Sequence, residues 1–203
     1  EDQDVFKLGL KIISSMYFKA KQAEKELGLK FSLEESPAES ASRRLAKVDI
    51  AQFGDKASGV VKGDVDNDMY YYTNSIHFAA DAPIDLVTRI QKQSKFHTMI
   101  ESGAIIHAFV GEKLPSKASI MNLVEKTFYN TQAAQLTISP EFTMCNSCYK
   151  TTTGLHETCV PCGSSNVYNV TRIVGYYSRV NNWNKSKLGE LEDRHKNKTL
   201  YAV

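Results

Sequence analysis

The feature that most constrains this chain is its cysteines. All four fall in one short stretch with the spacing C-x2-C, ten residues, C-x2-C: Cys145, Cys148, Cys159 and Cys162. Two such knuckles each place two thiolates on one ion, and together they complete a tetrahedral S4 shell, which suits zinc or iron. A secreted disulfide framework would spread its cysteines along the chain. The clustering instead points to a metal in a reducing compartment, and so to a cytoplasmic protein. Two disulfides, four buried free thiols and an iron–sulfur cluster are the alternatives, and paired knuckles suit one structural zinc better than a cluster. A closed S4 shell has no open coordination position, so its work is to pin a loop too small to hold itself. His156 lies between the knuckles, but four thiolates already fill the shell.

At 203 residues the chain has room for one domain, or one domain and a small module. Its composition, 42% hydrophobic and 24% charged, is that of a globular protein, and a net charge of +2 leaves no footprint for nucleic acid. The segment between the knuckles, YKTTTGLHET, has no basic–aromatic stripe either. No apolar run approaches the roughly 20 residues that span a membrane. The start, EDQDVFKLGLKII, is acidic and then amphipathic, unlike a signal peptide. It lacks Met, as a processed chain or a piece of a longer one would.

Periodicity predicts a helix over residues 4–27, with Val5, Leu8, Ile12, Met16, Ala20, Ala23 and Leu27 as its apolar stripe and Gly28 as its stop. Ser36-Pro37-Ala38-Glu39 reads as a second helix start: Ser36 as N-cap, Pro37 in the first turn and Glu39 closing a capping box. That helix should reach about Val48. Residues 51–68 read as a loop and Met69 to Phe78 as a strand, with Tyr72, Asn74 and Ile76 on one face and Tyr71, Thr73, Ser75 and His77 on the other. A helix opened by Pro83 and closed by Gly103 precedes a buried strand, Ala104 to Val110, in which His107 is expected to be a satisfied core histidine. Ser116 caps a helix to about Asn130, and Ala134 to Ser139 is a strand again. This alternation predicts an α/β architecture with partly parallel strands. After Pro140 the chain turns polar. Asn166 to Val174 reads as a strand that Gly175 interrupts, and Asn184 to about Lys196 as a short charged helix.

A glycine that interrupts a strand is by itself a bulge or a close backbone approach. Here Arg172-Ile173-Val174-Gly175-Tyr176 follows the cysteine ribbon and precedes the charged tail SRVNNWNKSKLGELEDRH. Together with YYTNSIHF, the SPAES helix start and the GAIIHAFVGE strand, this order resembles the carboxyl-terminal part of the anaerobic ribonucleoside-triphosphate reductases. The resemblance covers nearly the whole chain. One departure is Val174, where some members carry a cysteine.

The resemblance implies part of the ten-stranded α/β barrel of glycyl-radical enzymes. Residues 1–140 would be the substrate-binding part, 141–166 the zinc ribbon, and 167–203 the glycyl-radical loop and tail. It implies that Gly175 carries a stable Cα radical, installed by an activase with an iron–sulfur cluster and S-adenosylmethionine. The radical passes to a cysteine thiol, which opens reduction of a ribonucleoside triphosphate. All four cysteines here belong to the ribbon, so the thiol would lie elsewhere, and this chain would be about the last third of the enzyme, as a fragment or as half of a split one. A homodimer is the family's common state. Tyr176 and Tyr177 are expected to pack around the glycine loop, and Asn182, Trp183 and Asn184 to anchor that loop against the barrel. The free N–H groups of a helix start make Pro37, Ala38, Glu39 and Ser40 candidates for the substrate phosphates, and an ordinary capped helix suits the same residues. A glycyl-radical spare part for another enzyme and a zinc-ribbon adaptor without chemistry are the competing functions.

Overall fold

The computed structural model describes residues 3–111 and 114–196. The order is α1 (Gln3–Leu27), α2 (Glu39–Phe53), α3 (Asp55–Ser58), β1 (Lys62–Asp64), β2 (Met69–Tyr71), α4 (Leu86–His97), β3 (Ile106–Gly111), α5 (Lys117–Asn130), β4 (Leu136–Pro140), β5 (Phe142–Cys145), β6 (Thr151–Thr153), β7 (Val167–Arg172), β8 (Tyr177–Arg179) and α6 (Lys185–Lys196). The fold is mixed α/β.

β3, α5 and β4 form a crossover unit whose strands pair in parallel, Ile106 opposite Leu136 and Phe109 opposite Ser139. Parallel strands need such a helical crossover, and Ser116 starts it as expected, its hydroxyl accepting from the Ser119 amide. Ile106 and Ala108 are fully buried and pack with Leu86 and Ile90 of α4. The other sheets are antiparallel: β1 with β2, and a four-stranded sheet in the order β6-β5-β7-β8. Among the described residues no helix is long and apolar enough to cross a membrane.

Several expectations shift. α1 has the predicted span and Gly28 ends it with φ 67°, but Val5, Leu8, Ile12 and Met16 face outward. The neighbouring stripe, Phe6, Leu10 and Ile13, packs on Phe96, Ile100 and Ala104. The helix is apolar over a wide arc, so periodicity alone could not choose the face. α2 begins at Glu39 and not at Pro37. Ala38 occupies the cap position, and no side chain caps the helix. The cause is tertiary. The Ser102 amide donates to Leu33 and the Glu35 amide to Gly103, so residues 33–35 run alongside 102–105. The Glu35 carboxylate accepts from the Ile105 amide and meets the His77 ring at 2.6 Å. These contacts hold Ser36 away from its predicted cap.

Residues 51–68 are not one loop: they hold the end of α2, which runs on to Phe53, then α3 and β1. The strand expected to Phe78 stops at Tyr71. Tyr70 and Tyr71 are both buried, one on each side, and the Tyr71 hydroxyl donates to Asp193 on α6 at 2.8 Å. The chain then turns, with the His77 amide donating to Asn74 and Ser75 at φ 50°, so the two predicted faces do not extend past Tyr71.

Candidate active site

The cysteine ribbon and the glycine share one sheet. β5 delivers Cys145 into the first knuckle, where the Ser147 and Cys148 amides donate to its sulfur at 3.3 and 3.5 Å. With the Cys148 amide contributing most, they pull the Cys145 thiol down to about 6. In the second knuckle the Gly163 amide donates to the Cys159 carbonyl, and Gly163 takes φ 71°, a left-handed turn that favours glycine. Burial pushes the Cys159 thiol up to about 12. Cys145 and Cys162 are 3.7 Å apart at sulfur, Cys148 and Cys159 3.6 Å, and all four sulfurs lie within 4.8 Å of one another. The edge of a tetrahedron with metal–sulfur bonds of about 2.3 Å is about 3.8 Å, so the four thiols are placed to hold one metal ion. No disulfide joins them. The His156 ring bonds the Thr153 carbonyl at 2.8 Å and is not part of the four-thiol cluster.

β7 leaves the ribbon and returns as β8, Arg172 opposite Tyr177. The hairpin tip is Ile173-Val174-Gly175-Tyr176, closed by the Ile173 amide donating to Tyr176 at 2.9 Å. Ile173 and Val174 turn inward onto Trp183 and Leu191. Gly175 is exposed. A Cβ built on it meets nothing within 4 Å, and its φ lies outside the left-handed region. The site tolerates a side chain, so neither space nor backbone strain explains a glycine here.

Two arginines hold the tip. Arg194 of α6 donates to the carbonyls of Arg172 and Ile173, each at 2.8 Å. Arg172 donates through Nε to the Val174 carbonyl at 2.9 Å and through Nη2 to the Gly175 carbonyl at 3.0 Å. Four consecutive carbonyls are thus held by guanidinium groups. Arg194 is in turn paired with Glu190 at 2.5 Å and lies over the Phe109 ring, 3.9 Å from its centroid. Burial would raise the Glu190 carboxyl, but Arg194 and Lys187 outweigh it and hold the group down to about 2. Sequence reasoning missed this trio, although Lys187, Glu190 and Arg194 stand at the i, i+3 and i, i+4 spacings that let helix side chains meet. Trp183 packs with Ile173 and Val174, and its indole N–H donates to Ser178 at 2.6 Å. Tyr176 and Tyr177 remain 54% and 41% exposed, with the Arg172 guanidinium over the Tyr177 ring.

The helix start at Pro37 lies beside this tip. Pro37, Glu35, His77, Asn74, Arg172 and Gly175 border one cleft, and Ser40 borders a neighbouring depression with Tyr176 and Lys187. Ala38 and the backbone of Glu39 follow Pro37 at the first turn of α2, where amides lack helical partners. Behind the tip, Val174 borders a second cavity with His107, Gln93 and Asn74. His107 is buried as expected but is not satisfied. Neither ring nitrogen has a hydrogen-bond partner among the described residues, and burial pushes its imidazole down to about 3.

Comparison with known proteins agrees with this arrangement. The chain is 29% identical over 98 residues to the anaerobic ribonucleoside-triphosphate reductase of Enterobacteria phage T4, and 25% identical over 107 residues to that of Haemophilus influenzae. The matches span 48% and 53% of this chain but only 15% and 14% of those proteins. A solved anaerobic ribonucleotide reductase superposes with a TM-score of 0.71 at 22% identity, over 95% of this chain and 29% of that one. The Thermotoga maritima enzyme in complex with dATP and CTP superposes at 0.64 and 20% identity, over 96% of this chain and 28% of that one. The family profile described as anaerobic ribonucleoside-triphosphate reductase matches residues 1–197. With four clustered thiols at one end of β7, a glycine hairpin at the other and a family match along nearly its whole length, the chain belongs to the anaerobic ribonucleoside-triphosphate reductases.

Proposed function

We propose that this chain is the carboxyl-terminal part of an enzyme that reduces ribonucleoside triphosphates to deoxyribonucleoside triphosphates, with Gly175 as the seat of a Cα radical. The observation that carries the reading is the hairpin tip. Gly175 stands exposed with an open Cβ position and no left-handed φ, so steric need does not account for a glycine. Radical chemistry does account for it: without a side chain the α-carbon flattens and the unpaired electron spreads into both neighbouring peptide groups.

In this reading residues 1–140 are the substrate-binding part of a ten-stranded barrel, 141–166 the ribbon, and 167–203 the radical loop and tail. Zinc on Cys145, Cys148, Cys159 and Cys162 fixes the strand that leads to Gly175. An activase carrying an iron–sulfur cluster and S-adenosylmethionine removes a hydrogen atom from Gly175. The radical then passes to a thiol of the rest of the reductase chain, which takes a hydrogen from the substrate ribose. The 2′-hydroxyl leaves as water, and formate or a redox protein supplies the two electrons. The first turn of α2, through the amides of Pro37's successors Ala38, Glu39 and Ser40 and the Ser40 hydroxyl, receives the triphosphate. Its place beside Gly175 supports that role. The whole enzyme is a cytoplasmic homodimer that works without oxygen. The test is turnover: the full-length enzyme with its activase should form deoxyribonucleotide from ribonucleoside triphosphate, and Gly175→Ala should form none. Product from Gly175→Ala would end the proposal.

A further inference from the structure

Arg172 is the residue that the proposed chemistry leaves without a task. Its carbonyl belongs to the sheet and to Arg194, but its side chain does something separate. Nε–H and Nη2–H donate to the carbonyls of Val174 and Gly175 at 2.9 and 3.0 Å. Those two carbonyls belong to the peptide groups on either side of the Gly175 α-carbon. Among the described residues they are the only acceptors the guanidinium has, and no carboxylate pairs with it. A surface arginine usually meets a carboxylate or water. This one directs one donor edge at two successive backbone oxygens, a fork that lysine, with its single ammonium, does not reproduce.

We infer that Arg172 is a positioning residue for the Gly175 radical, holding the two flanking peptide groups and stabilising the charge that delocalisation places on the Gly175 oxygen. The inference rests on the proposal that Gly175 carries the radical. An electron at Cα is stabilised because the preceding nitrogen donates into it while the following carbonyl withdraws from it, which places negative charge on the Gly175 oxygen. A cationic N–H on that oxygen strengthens the withdrawal. The second N–H, on the Val174 oxygen, fixes the plane of the preceding peptide, on which overlap with the nitrogen depends. The hairpin supplies the rest of the frame. β7 places the Arg172 side chain immediately before the tip, three residues from Gly175, and Arg194 holds the Arg172 carbonyl.

The test uses the full-length reductase, activated without oxygen. In wild-type enzyme with isotopically labelled guanidinium nitrogens, electron–nuclear double resonance should show the glycyl spin coupled to an arginine nitrogen and to its exchangeable protons. Arg172→Lys, with zinc content checked as a measure of the ribbon fold, should lose that coupling. Its radical, followed per spin after the activase is removed, should decay at least about tenfold faster, the factor expected for one charge-assisted hydrogen bond. Following decay rather than yield separates this role from poorer activation. A wild-type radical without arginine coupling, or an Arg172→Lys radical of unchanged lifetime, overturns the inference and leaves the Gly175 assignment standing. A wild-type enzyme with no glycyl signal overturns that assignment instead. If Arg172→Lys takes up no radical, the arginine coupling in the wild type decides.

Discussion

Replacing Arg194 by Met isolates what the buried arginine does for the hairpin. Arg194 is 5% exposed; it donates to the carbonyls of Arg172 and Ile173, pairs with Glu190, and covers the Phe109 ring. Methionine preserves much of the packing against Phe109 and Trp183 but leaves two carbonyls without their donor and Glu190 with Lys187 alone. Breaking a buried ion pair from one side costs about 3–5 kcal/mol. Each lost hydrogen bond from a charged donor is worth about 1.5–3 kcal/mol, a range that overlaps that cost and is not added to it. At about 1.4 kcal/mol per factor of ten, local opening of the hairpin should become roughly 10²- to 10³-fold more frequent. Amide hydrogen exchange with mass spectrometric readout on the intact enzyme measures this directly. Peptides covering 168–180 and α6 should exchange faster by that factor, while those covering 145–163 should not change. Acceleration below about tenfold in the hairpin would refute the reasoning, because it would mean that Arg194's grip on the Arg172 and Ile173 carbonyls is not what holds the hairpin.

The same pair should make the hairpin acid-sensitive. Glu190 is held down to about 2 from an ordinary 4.5, so its contribution, about 3 kcal/mol, is fully present above pH 4.5 and is lost as pH falls toward 2. Exchange in 168–180 followed over that range should show the loss, and Glu190→Gln should flatten it. Two glycines should respond oppositely to alanine: at Gly189 the new methyl would run into the Met69 carbonyl and prise α6 from β2, whereas Gly175→Ala should leave zinc content and circular dichroism at wild-type values. Cys148→Ser, or chelation of the metal, should loosen residues 141–180 in limited proteolysis while α4, β3 and α5 stay protected. Equal cleavage with and without metal would show that the ribbon folds by its own contacts.

What could be read in advance was whatever depended on spacing. The cysteine interval gave the four-thiol cluster, Ser116 gave its helix start, and the apolar run from Ala104 gave a strand covered on both faces and paired in parallel with β4. What failed depended on contacts distant in sequence. Ser36 has the chemistry of an N-cap, but Glu35 is tied to residues 103–105 and to His77, and the helix starts later. The tyrosine run has strand composition, yet Tyr71 is drawn to Asp193, more than a hundred residues away, and the strand ends there. The outward stripe of α1 could not be told from the inward one because both are apolar. At the site, Arg172 and Gly175 could be singled out together, but that one grips the carbonyls around the other required the hairpin.

The most direct test of the central claim is the paramagnetic spectrum of the full-length enzyme, activated without oxygen and grown with glycine carrying a magnetic carbon isotope at Cα. The account predicts a glycine-type doublet that the label broadens, that air destroys with cleavage of the chain at residue 175, and that is absent from Gly175→Ala although that variant keeps its metal and fold. A radical whose spectrum ignores the glycine label, or one that persists in Gly175→Ala, would contradict it.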